Sequence, residues 1–130
     1  WGTDFDIWDP SAVPADYALQ LQPSEYSEDG PFAQLSSWLT TLINKDDAEG
    51  FYRPYTGELG GVAPEPWHLS HRPSAKLFQP LVDHAPLTQL WSGETKQLGQ
   101  LAKVEALAGL QEVQGRYEAI MARYVRSYWV

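Results

Sequence analysis

The sequence predicts an α+β domain: a small antiparallel or mixed sheet with one long helix packed across it, followed by a helical C-terminal extension. Three observations predict it. Asp4-Phe5-Asp6 alternates acidic and apolar residues at the period of a strand. Phe32, Leu35, Trp38, Leu39, Leu42 and Ile43 recur at the period of a helix and make one apolar face. Pro64 and Pro66 each fix their own φ and push the residue before them towards extended backbone, so the stretch carrying Glu65 and His68 cannot be helical. At 130 residues the chain has room for one domain, with the sheet in residues 1–72 and the helical extension in 73–130.

Thr3 to Trp8 reads as the first strand, ended by Asp9-Pro10, and its alternation puts Asp4 and Asp6 on one face. Ser11 to Gly30 is rich in Pro, Ser, Asp and Glu, with Tyr17, Leu19, Leu21 and Tyr26 as anchors, and reads as a long loop. Structureless loops of that length are uncommon in compact domains and are often functional flaps. Asp29-Gly30-Pro31 gives a helix start, because proline at the first helical position gives up an N–H that would be unpaired anyway. That helix is expected over about 31–47, with Trp38 in its buried face and an end near Gly50. Phe51 to Tyr55 is a short strand, and Thr56 to Gly61 turns the chain into the strand that carries His68. Ser74 to Val82 and Leu87 to Trp91 read as short helices interrupted by Pro80, Pro86 and Gly93. In the tail, an apolar stripe from Leu107 through Leu110, Val113, Tyr117 and Met121 to Tyr128 marks a helix over about 103–128. Gly109 and Gly115 each cost it about 1 kcal/mol relative to Ala, while Arg123 and Arg126 suit the negative end of its dipole.

The net charge of −8 is unevenly spread: residues 1–65 hold 12 Asp/Glu against 2 Lys/Arg, and residues 66–130 hold 5 against 7. An acidic first half argues against binding nucleic-acid phosphates and suits a cation site. Solvated loop and helix-end charge is the plain reading of Glu25, Glu28, Asp29, Asp46, Asp47 and Glu49. The absence of cysteine excludes disulfides and thiolate metal sites. No apolar run reaches the roughly 18 residues that a membrane span needs.

Glu65 and His68 stand three residues apart outside any helix, so they do not belong to the helical H-E-x-x-H pattern. Taken with Gly2-Thr3-Asp4-Phe5-Asp6, the run Glu65-Pro66-Trp67-His68 resembles the zinc D-alanyl-D-alanine peptidases of the VanY-type carboxypeptidase family. That family shares its fold with lysostaphin-type peptidases and the hedgehog signalling domain, and carries Ser-x-His-x-x-Gly-x-Ala-x-Asp followed much later by Glu-x-Trp-His. Gly2 matches the motif glycine, Asp4 stands where the small residue usually is, and Asp6 matches the metal-binding aspartate. The resemblance makes Asp6 and His68 zinc ligands and Glu65 the general base. It also implies a hedgehog/DD-peptidase-like sheet and metal-site core in 1–72, a peptidoglycan stem-peptide substrate, and a place in the bacterial periplasm or cell envelope.

The same resemblance puts the first motif's His two residues before Trp1, together with a serine and an arginine that lie near the substrate. The chain is therefore expected to be a piece of a longer enzyme that is inactive and binds zinc weakly without its N-terminal segment. By geometry alone, either Asp4 or Asp6 could reach a metal. His71 falls on the opposite strand face and His84 among loop residues, so neither reads as a ligand. Trp8, Tyr52, Tyr55 and Trp67 are candidate substrate contacts, with core packing the alternative, and Trp67 is expected beneath the site. Arg53 and Arg72 could hold a substrate carboxylate. The competing functional reading is a non-catalytic peptidoglycan-binding or structural module on the same fold.

Overall fold

A computed structural model describes residues 2–83 and 108–129. Three short strands form one antiparallel sheet in the order β1-β3-β2, with β1 at Asp4–Asp6, β2 at Phe51–Tyr52 and β3 at His68–His71. Seven helical or 3-10 elements accompany it among the described residues, four in the first 83 and three in the tail, so the architecture is α+β as expected. β3 is central: Asp6 faces His68, Phe5 faces Leu69, and Asp4, Ser70 and Tyr52 line up across all three strands. Side-chain alternation then gives the sheet two chemically distinct faces. Asp4, Asp6, His68, Ser70 and Tyr52 share one. Phe5, Phe51, Leu69 and His71 share the other, where Phe5 meets Phe51 edge-on at 5.5 Å and Phe51 lies 4.9 Å from the His71 ring.

Helix α1 spans Ala33–Asn44, two residues later than its proline suggests and shorter at its end. Pro31 lies in a turn because the Phe32 N–H is taken by the Glu25 carbonyl at 2.8 Å, and Asp46 closes the other end in the left-handed region at φ 56°. The turn requires Gly30, since a Cβ there would collide with the Ser24 and Glu25 carbonyls. Leu39 is buried, but Trp38 is 57% exposed, against the expectation of a core residue. The reason is that the apolar stripe of α1 is wider than the small sheet can cover. Trp38 is left on the flank, beside a shallow apolar groove of about 220 Å³ whose floor is Phe5, Phe51 and Leu69.

The acidic loop is not a solvated flap. Tyr26, Phe32 and Trp67 form a buried cluster, with Val13, Tyr17, Leu19 and Leu21 packed against it. Glu25, read from sequence as a solvated charge, is 5% exposed. Its Oε1 accepts from the Tyr17 hydroxyl at 2.6 Å and the Gln20 N–H at 3.1 Å, and its Oε2 from the Gln22 N–H at 2.9 Å. Burial pushes the Glu25 carboxyl up, yet these hydrogen bonds outweigh it and hold the group below its ordinary value. Tyr26 donates to the Ile7 carbonyl at 2.7 Å, tying loop to β1, and burial pushes its own pKa up to about 12.

Helix α2, Arg72–Asp83, starts without a linker from β3, and the Arg72 N–H bonds the Gly50 carbonyl at 2.9 Å. It runs through Pro80 where an interruption was expected; Pro80 faces solvent, so the carbonyl it leaves unpaired is on the wet side. The tail helix is broken in two, α3 at Leu110–Gly115 and α4 at Tyr117–Tyr124, followed by a 3-10 turn at Arg126–Tyr128. Arg116 ends one and caps the next, directly after the expected weak point at Gly115. Met121 and Tyr128 anchor this segment, at 1% and 7% exposure. Leu87 to Trp91, His84 and the 103–107 start of the tail helix lie outside the described residues. Among the described residues, no helix is long and apolar enough to cross a membrane.

Candidate functional site

The polar face of the sheet gathers the motif residues from both ends of the core. The β1–β3 register sets Asp6 beside His68, and the His68 Nδ1 lies 2.9 Å from Asp6 Oδ1. Glu65 reaches the same nitrogen from the segment just before β3. A turn closed by the His68 N–H on the Glu65 carbonyl at 3.2 Å folds the Pro66-Trp67 step back, leaving Glu65 Oε2 3.7 Å from Nδ1. The other ring nitrogen, Nε2, is buried without a hydrogen-bond partner, and Asp4 Oδ1 stands 3.7 Å from it. Each ring nitrogen of His68 thus faces a different carboxylate of β1.

Burial pushes the Asp4 carboxyl up, while hydrogen bonding by Ser70 and the His68 ring beside it act in the opposite direction. Thr3 Oγ1 lies 3.2 Å from Ser70 Oγ, which extends the polar row along the strand. Tyr55, one of the candidate cleft residues, covers the imidazole, with ring centroids 4.8 Å apart and planes at 41°. Burial raises the Tyr55 pKa, and the Asp4 and Glu65 charges raise it further. Beside this group a cavity of about 260 Å³ is walled by Asp4, Pro54, Tyr55, Val82, Tyr124 and Tyr128.

The other three candidate substrate contacts part company. Trp67 is 8% exposed and packs on Tyr26 at 5.6 Å, so its indole belongs to the core and not to a cleft wall. Tyr52 is on the polar face but equally buried, with the Arg72 guanidinium 4.4 Å above its ring. Trp8 is 40% exposed and leans edge-on against Phe32 at 6.1 Å, away from the cavity walls. Arg53 is committed to structure: its Nε donates to the Pro66 carbonyl at 2.9 Å, Nη1 to Thr40 Oγ1 at 2.7 Å and Nη2 to the Ser36 carbonyl at 3.2 Å. It thereby bolts α1 to the turn that carries Glu65. His71 is on the far face, with its Nδ1 2.7 Å from Ser74 Oγ.

The imidazole and carboxylate donors of His68 and Asp6 match the N/O preference of zinc, and the buried, unpartnered Nε2 shows that protein hydrogen bonds do not use up the ring. Among the described residues, no group of three or more His, Asp and Glu side chains is arranged to hold a metal ion. Sequence reasoning missed Ser70 and the C-terminal tyrosines that wall the cavity. Ser70 had a signal in its i+2 spacing from His68; Tyr124 and Tyr128 had none, being brought here only by the tertiary fold.

The chain is 39% identical over 95 residues to a Haemophilus influenzae protein described as an uncharacterized protein, and the match covers 72% of this chain and 71% of that one. No family model matches the chain. No solved structure matches it either.

Proposed function

This chain belongs to the same family as that Haemophilus influenzae protein, and we propose that it carries part of the site of a zinc-dependent D,D-carboxypeptidase that removes a terminal D-alanine from peptidoglycan stem peptides in the bacterial envelope. The observation that carries the proposal is the convergence on one imidazole: Asp6 at 2.9 Å and Glu65 at 3.7 Å from His68 Nδ1, on an open face beside a cavity. Asp6 and His68 would hold the metal, with the third protein ligand contributed by the upstream His of the motif this chain resembles. The fold of the hedgehog and D-Ala-D-Ala peptidase class is part of the same proposal, supported by the α+β layout and the central strand that bears His68.

Zinc, when bound, supplies water activation and polarisation of a carbonyl oxygen. Glu65 does the proton work. Its half-buried carboxylate takes a proton from the water that attacks the scissile carbonyl, and returns it to the amine of the departing D-alanine as the C–N bond breaks. Tyr55 shields one side of the imidazole from solvent. Trp67, buried under the turn, fixes the backbone on which Glu65 and His68 ride.

The test is made on the protein with its upstream motif in place. Zinc content is measured together with D-alanine release from peptides ending in D-Ala-D-Ala, before and after chelation. Release that is lost on chelation and regained with zinc supports the enzyme. Binding of peptidoglycan without release replaces it with the non-catalytic module.

A further inference from the structure

The C-terminal turn reaches the site by two routes. The Tyr128 hydroxyl accepts the Val62 N–H at 2.7 Å, and the Arg123 Nε donates to the Gly60 carbonyl at 2.9 Å, so both residues grip the glycine-rich segment that leads into Glu65. The grip is close: a Cβ on Gly61 would come to 2.6 Å from the Tyr128 hydroxyl and 2.7 Å from the Arg123 carbonyl. The Tyr128 ring meets Tyr55 edge-on at 5.0 Å, and Tyr55 in turn lies against His68 at 4.8 Å. Tyr128 is 7% exposed, and three aromatic rings therefore run in contact from the tail to the imidazole.

We propose that Tyr128 is a positioning residue for the site: its ring holds Tyr55 against His68, and its hydroxyl fixes the approach to Glu65. The inference rests on the proposed role of His68 for its effect on hydrolysis, but not for its effect on the imidazole itself. Both contacts come from one side chain, so a single small displacement disturbs the ligand and the base together. Displacements of this size far from the chemistry act on turnover more than on substrate capture.

Tyr128→Phe in the protein with its upstream motif removes the hydroxyl and keeps the ring. The expected result is a fall of about tenfold in kcat with KM nearly unchanged, together with displaced His68 and Tyr55 ring signals in NMR spectra. The exposed substitution Gln114→Ala on α3 should leave both unchanged. Gly61→Ala pushes on the same contact from the other side and should reproduce the His68 shift. If Tyr128→Phe lowers the melting temperature but leaves the His68 ring signals and kcat alone, the residue is only structural and the inference is overturned. If the unaltered protein releases no D-alanine, the proposed function fails, and the His68 signals in both variants decide the inference alone.

Discussion

Asp6 and His68 are 62 positions apart in the chain and directly opposite each other in the sheet, with Oδ1 and Nδ1 2.9 Å apart. Because the side-chain period of a strand is two, a one-residue slip of β1 would replace both of its carboxylates on this face by apolar neighbours. Phe5, packed on Phe51 across the other face, guards against that slip.

The two motif residues separate by what each variant loses. In the protein with its upstream motif restored, Glu65→Gln should keep its zinc and lose about 10²–10⁴-fold in turnover. His68→Ala should lose zinc first and regain part of its activity in excess metal. Zinc stoichiometry and rate measured on both variants check this; a Glu65→Gln protein that loses its zinc would show that Glu65 is a ligand.

Asp4 and Asp6 face different nitrogens of one ring, so they too are separable. Asp6→Asn should weaken zinc binding by more than Asp4→Asn does, since groups that contact a ligand rather than the metal are worth about 10–100-fold in affinity. Competition with a chromophoric chelator measures both. The reverse order would transfer the ligand role to Asp4.

Glu25 organises the loop through charge-assisted hydrogen bonds, and Glu25→Gln should cost about 2 kcal/mol at pH 7 in urea unfolding. Its folded pKa is depressed below the ordinary 4.5. The stabilisation is therefore complete above that value and is lost as the pH falls through the folded value. The difference between the unfolding curves of the two proteins should therefore shrink as the pH falls below 4.5; a difference that stays constant throughout the acid range would remove the charge from the account.

Arg53 joins α1 to the turn before His68 with three hydrogen bonds. Arg53→Met keeps the aliphatic packing and takes the Arg53 donor from the Pro66 carbonyl, while Thr40 Oγ1 still donates to the Ser36 carbonyl, at an expected cost of about 1–3 kcal/mol. Arg53→Lys, with its single ammonium, should recover only part of it. Equilibrium unfolding of both variants checks the order.

The parts of this structure that the sequence makes legible are those set by local rules. Alternation places Asp4 and Asp6 together, and the two prolines keep Glu65 and His68 off a helix. Gly115 marks the break between α3 and α4, although the sequence favours one continuous helix there. What depends on partners far along the chain is illegible. Glu25 looks like a surface charge until the backbone of Gln20 and Gln22 curls around it. Trp38 continues a helical stripe, and only the width of a three-stranded sheet decides that it stays outside. The hydroxyl of Tyr128 meets Val62 across 66 positions, a pairing with no periodicity to announce it.

The central position of β3 also sets the order in which the site comes apart. His68 belongs to the strand with neighbours on both sides, whereas Asp6 belongs to a three-residue edge strand. Elements with few partners open at lower free energy than the central ones they flank. Brief excursions from the native state therefore peel Asp6 away while His68 and Glu65 stay in register, and the site is lost one carboxylate at a time. Amide exchange should follow that sequence, with the Phe5 and Ile7 N–H groups exchanging before that of Ser70, which faces β2.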